Sequence, residues 1–121
     1  MFSFRTDWTE NSEHIVTMFH YLDWPENSVP KDPMTLFEII HSLEKTNSQC
    51  TLVHCGGGVG RTGTFIALML LMDQILSKAK YVNVFQTVLD LRNDRKFMVR
   101  NVVFVIFFIA MFYVFSFIAG E

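Results

Sequence analysis

Cys55 and Arg61 bracket the run Gly56-Gly57-Gly58-Val59-Gly60, with His54 directly before it and Thr62 and Gly63 directly after. Four glycines in five positions let successive backbone N–H groups turn toward one centre, because a residue without a Cβ reaches positive φ and lets a ligand approach closely. An apolar helical pattern from Thr64 to Met72 starts where the loop ends, so a helix N-terminus points at the same centre. Its unpaired N–H groups and dipole favour a phosphate-sized dianion. The same field lowers the pKa of a thiol and makes Cys55 a nucleophile near neutral pH. Arg61 supplies a planar fork for two phosphoryl oxygens, and the Thr62 hydroxyl is placed to donate to the sulfur. A cysteine in an apolar strand is ordinarily core, and a glycine cluster is ordinarily a turn. Neither requires the cysteine, the glycines, the arginine and the helix start in this order, so the stretch reads as a site for anion binding or covalent chemistry.

The elements that position the loop follow from local pattern. Cys50 to His54 is a short apolar run suited to a buried strand, delivered by a turn at Thr46-Asn47-Ser48-Gln49. His14 to Leu22 is rich in β-branched and aromatic residues and also predicts a strand. Met34 to Lys45 predicts an amphipathic helix with Leu36, Phe37, Ile40 and Leu43 on one face. The helix after the loop is expected to end near Lys78 to Lys80. Asn83 then caps another helix that carries Val84, Phe85, Val88, Leu89 and Leu91 at helical spacing. Strands and helices together give an α/β domain, a central sheet flanked by helices, with the loop at a strand's C-terminal end.

The 121 residues make one small domain, and a net charge of -2 argues against a nucleic-acid or membrane-surface polyelectrolyte role. The N-terminus has no long apolar run, so no secretory signal peptide is expected. Cys50 and Cys55 would lie about 16 Å apart in an extended chain at ~3.3 Å per residue, too far for a disulfide. A thiolate nucleophile needs a reducing compartment, which points to the cytosol. His14, His20 and His41 fall in no metal-ligand spacing and read as solvated side chains, and no cofactor or metal is called for. Three prolines within Pro25 to Pro33 make Asp23 to Pro33 a stiff irregular loop, by itself an ordinary strand-to-helix connection.

From Val53-His54-Cys55 to Arg61-Thr62-Gly63-Thr64-Phe65 the sequence resembles the signature loop of the cysteine-dependent protein tyrosine phosphatases, and Gly58 to Phe65 is similar to the tyrosine-specific branch. Gly56-Gly57 departs from it, because that branch usually has Ser-Ala there. The resemblance covers roughly residues 14 to 100, part of a catalytic domain about twice this length. It implies a hydrolase that removes phosphate from phosphotyrosine proteins through a cysteinyl-phosphate. In that reading Cys55 attacks phosphorus, and the amides of Gly56, Gly57, Gly58, Val59 and Gly60 hold the oxygens with Arg61. His54 and Thr62 flank the nucleophile. Phe19 to Pro30 resembles the family's mobile lid, with Trp24 in it and Glu26 where the family carries an aspartate as general acid. The extra methylene misplaces the proton, and a misplacement near 1 Å costs ~100-fold, so weak turnover is expected. The family continues Met-Val-Gln-Thr with a second glutamine a turn later, and these orient the hydrolytic water. This chain has Arg100 and Phe104 at those places, so a phosphorylated Cys55 is expected to accumulate. The family's tyrosine-bearing recognition loop has no counterpart before His14. A non-catalytic phosphotyrosine binder and an inert fragment are therefore the rival readings.

Residues 102 to 119 are apolar and uncharged throughout. As a helix they would span ~27 Å, near the ~30 Å hydrocarbon core of a bilayer. Arg92, Arg95, Lys96 and Arg100 precede the segment and only Glu121 follows, which would keep the catalytic part cytosolic above a C-terminal anchor. The segment also fits a last helix buried on the domain. The expected division is therefore residues 1–101 as the partial catalytic domain and 102–121 as an apolar C-terminal helix, with membrane insertion through 102–119 or burial both open.

Overall fold

The computed structural model describes residues 2–7, 13–48, 50–118 and 120. Two strands, β1 (Phe2–Asp7) and β2 (Glu13–Met18), precede four helices: α1 (Met34–Glu44), α2 (Arg61–Leu76), α3 (Val84–Asp94) and α4 (Val102–Ile118).

The molecule is built on α2. Its apolar side chains go all round the axis, and a helix of that kind must be covered on several sides. Phe65, Ala67, Leu68, Leu71, Met72 and Ile75 are buried, with α3 and α4 packed along it. Helix α1 adds Leu36 and Ile40 to the same core, α3 adds Leu91, and α4 adds Phe104, Phe107 and Met111. The expected amphipathic α1 is present, and Phe37 and Leu43 pack partly buried beside its two core residues. Asn83 caps α3 as expected, its side chain accepting from the Gln86 N–H at 2.9 Å. Of the apolar residues at helical spacing on α3, Phe85 and Leu89 are exposed, while Val84 and Val88 pack against the core.

The central sheet is not observed. Among the described residues the sheet is a two-stranded antiparallel hairpin, pairing Phe2 with Met18 through Asp7 with Glu13. Residues 50–54 belong to no ladder, and Leu52 is 86% exposed. A strand is stable only where a neighbour accepts and donates along its edge, and among the described residues no strand pairs with this segment. The strand expected over His14 to Leu22 ends at Met18, and Ile15 and Val16 are exposed on it. Gln49, the last residue of the expected turn, lies outside the described residues.

Helix α4 lies against α2. Asn101 starts it, with Oδ1 accepting from the Phe104 N–H at 3.3 Å. No helix among the described residues is long and apolar enough to cross a membrane.

Candidate active site

The chain reaches the glycine loop through Val53, which packs on the core, and leaves it through the first turn of α2. Three attachments fix this loop. The Val59 carbonyl accepts from the N–H of Gly63 at 3.1 Å and from that of Val99 at 3.0 Å. The Gly60 carbonyl accepts from the Thr64 N–H at 3.0 Å and the Thr64 hydroxyl at 2.9 Å. Gly63 sits so close to the 98–99 backbone that a Cβ there would collide with the Val99 nitrogen and stand 3.1 Å from Met98 Cα.

Gly58 adopts φ +69°, a left-handed conformation that costs a residue with a Cβ, and from it the Gly58 N–H donates to Cys55 Sγ at 3.2 Å. Partial burial alone would push the Cys55 thiol up. It is outweighed by the Thr62 hydroxyl, the Thr62 N–H and the N–H groups of Gly58 and Gly57, and the thiol falls from 9.0 to about 7. Thr62 Oγ1 is itself buried with no hydrogen bond of full geometry among the described residues. Its proton therefore remains for the sulfur anion.

Arg61 faces the same space. Its Nη1 donates to the Trp24 carbonyl at 2.9 Å, and its Nη2 lies 3.5 Å from where a Gly56 Cβ would be. Trp24 is buried between Tyr21, Phe104 and Phe107, at ring-centroid distances of 6.4, 6.3 and 6.0 Å, and its Nε1 donates to the Ser28 carbonyl at 2.8 Å. The base of this proline-rich segment is closed by the Lys31 N–H donating to the Asp23 carbonyl at 2.9 Å and by the Tyr21 hydroxyl donating to the Asp32 carbonyl, also at 2.9 Å. Between this segment and the glycine loop lies a shallow open depression lined by Glu26, Asn27, Cys55, Gly57, Val59, Gly60, Arg61, Arg100 and Phe104.

Of the residues singled out in the sequence, Cys55, Arg61, Glu26, Gly57, Val59 and Gly60 meet in this depression. Thr62 sits beneath the sulfur, Gly58 donates to it, and Trp24 ties the proline-rich segment to Arg61. Gly56 flanks the arginine, whereas His54 is exposed and outside the lining. Two further arginines belong to the site. Arg95 lays its guanidinium over Gly58, Nη2 standing 3.3 Å from where a Cβ would be, and Arg100 lines the depression. The sequence signal for both was the basic cluster Arg92 to Arg100, which reads equally well as the flank of a membrane segment.

The depression thus brings a thiol of lowered pKa together with an arginine and a carboxylic acid, with loop N–H groups turned to the sulfur. A family model described as protein-tyrosine phosphatase matches residues 1–113. The chain is 36% identical over 100 residues to receptor-type tyrosine-protein phosphatase alpha of Homo sapiens, covering 79% of this chain and 12% of that protein. It is 37% identical over 101 residues to tyrosine-protein phosphatase Lar of Drosophila melanogaster, covering 79% and 5%. It is 41% identical over 93 residues to receptor-type tyrosine-protein phosphatase eta of Gallus gallus, covering 73% and 6%. The chain belongs to the protein-tyrosine phosphatase family, and it spans a small fraction of the length of these relatives.

Proposed function

We propose that the chain is a phosphotyrosine-directed hydrolase of weak turnover that works through a cysteinyl-phosphate. The observation that carries this reading is the Cys55 thiol, lowered to about 7, in one depression with Arg61 and Glu26. Cys55 Sγ attacks phosphorus while the phenolic oxygen leaves with the Glu26 proton. Water then attacks phosphorus, sulfur leaves, and the Glu26 carboxylate takes the water proton. Arg61 and the amides from Gly56 to Gly60 hold the three phosphoryl oxygens, Thr62 stabilises the leaving sulfur, Trp24 carries the lid, and His54 supports the nucleophile from outside the pocket. Phosphotyrosine proteins are the substrates, and no nucleic acid and no cofactor takes part. Residues 1–101 form the partial catalytic unit, acting in the cytosol, and residues 102–121 form its apolar C-terminal segment.

The test is turnover of a small aryl phosphate by the wild type and by Cys55→Ser. Activity abolished by the substitution supports the enzyme, and equal rates in both overturn it.

A second reading, a phosphotyrosine trap that binds without completing hydrolysis, is favoured by Phe104, whose ring is 1% exposed and lines the depression. A phenyl ring offers no group to orient water. Intact-mass detection of a persistent phosphate adduct on Cys55 would favour the trap. Membrane insertion through residues 102–119 competes with the packing of α4, because Phe104 and Phe107 cannot face lipid and Trp24 at once. Detergent-dependent extraction that disappears on deleting residues 102–121 would favour insertion.

A further inference from the structure

Two arginines, Arg61 and Arg100, line one depression with Cys55. Arg61 comes from the first turn of α2. Arg100 lies outside that helix, with its Cβ 3.8 Å from where a Gly60 Cβ would lie, at the edge of the glycine loop. Its position is set by an unusual stretch of backbone. Val99, the residue before it, is fully buried and adopts φ +54°, an outlier for a β-branched residue that persists only where the surroundings over-determine it. Those surroundings are Arg92, whose Nε and Nη2 donate to the carbonyls of Met98 at 2.9 Å and Val99 at 3.0 Å, and the Val59 carbonyl, which accepts the Val99 N–H. Strain and three hydrogen bonds thus fix the backbone immediately before Arg100.

An arginine at this edge has a definite chemistry. It carries five donors and no acceptor, so it can neither take a proton from water nor accept a hydrogen bond from it. It can add a charge-assisted hydrogen bond to a phosphoryl oxygen. Such a contact is made equally to the substrate phosphoryl, to the phosphate on sulfur and to free phosphate. It therefore tightens binding without lowering the barrier to hydrolysis.

We propose that Arg100 is a second phosphate-holding arginine, which makes the site retain phosphate dianions instead of releasing them. This rests on the reading of the loop as a phosphate site and adds to it a specific residue and a consequence.

The probe is inorganic phosphate, titrated into the full chain at pH 7.5 and followed by tryptophan fluorescence, since Trp24 is bonded to Arg61, with equilibrium dialysis of radiolabelled phosphate as a second readout. Arg100 is exposed, so Arg100→Gln is expected to fold, and its melting curve serves as the check. Loss of a charged hydrogen bond should weaken phosphate binding about tenfold or more in Arg100→Gln, and Arg100→Lys should recover part of that loss. The salt dependence of binding should be shallower in Arg100→Gln than in the wild type. Wild-type affinity retained by Arg100→Gln, with binding still lost in Arg61→Ala, overturns the role of Arg100 and leaves the loop reading standing. Absence of phosphate binding in the wild type overturns both.

Discussion

Arg61 Nη1 donates to the carbonyl of Trp24 at 2.9 Å, a bond that spans 37 positions of sequence and ties the first turn of α2 to the segment that carries Glu26. The guanidinium therefore serves two surfaces at once, and its planar fork allows one edge to hold that segment while the other faces the loop. Lysine cannot do both. Arg61→Lys should keep the fold and lose about 100-fold in turnover of an aryl phosphate, with a matching loss of lid order seen as a change in tryptophan fluorescence. Unchanged turnover would mean that the arginine is not part of the chemistry.

Cys55 titrates at about 7 and not at 9.0, so its alkylation by iodoacetamide should rise with pH through an inflection near 7. The lowered value also links pH to stability. The stabilisation from the folded-state thiolate is fully present above the unfolded thiol's value near 9, declines as pH falls toward 7 and is absent below it. Thr62→Ala removes the largest lowering contact and should move the inflection upward. An inflection that stays in place would show that the hydroxyl does not stabilise the sulfur.

Glu26 is exposed and lines the depression. Shortening it by one methylene should bring the carboxyl to the distance that proton transfer requires, and Glu26→Asp is expected to raise turnover by up to ~100-fold. Glu26→Gln, which cannot donate or accept the proton, should lower it. Equal rates for all three would remove Glu26 from the mechanism.

Gly63 and Gly60 differ in what a methyl group would meet. At Gly63 the obstruction is the backbone of Met98 and Val99, which cannot move without breaking the loop's attachment. At Gly60 it is the Phe104 ring, 2.9 Å away at Cε2, and a ring can tilt. Gly63→Ala should cost about 3 kcal/mol or more and Gly60→Ala less, read as the order of their thermal midpoints. The reverse order would contradict the packing.

Phe104 joins α4 to the lid through Trp24 and is almost fully buried. Phe104→Ala should destabilise the fold by about 3–5 kcal/mol in chemical denaturation, and it should loosen Trp24 along with it. A neutral effect in aqueous buffer would indicate that α4 does not dock on α2 in solution.

Much of this molecule is set by interactions between near neighbours in sequence. The periodicity of Leu36, Ile40 and Leu43 makes α1, Asn83 caps α3, and the glycines of 56–60 together with the start of α2 bring a thiol and a guanidinium to one place. These are decided within a turn or two of chain, and such short-range preferences can be read from residue types. The tertiary structure decided what depends on partners far away. Residues 50–54 have strand-forming side chains but pair with no strand among the described residues, and the apolar α4 finds α2 and Trp24 to cover one of its faces. The backbone that sets Arg100 beside the glycine loop is likewise invisible in sequence, because it follows from Val99 being held at positive φ by Arg92 and Val59. Local preference specifies which elements form and which chemistry they carry. Only long-range hydrogen bonds and packing settle which face each element buries and where a charged side chain comes to rest.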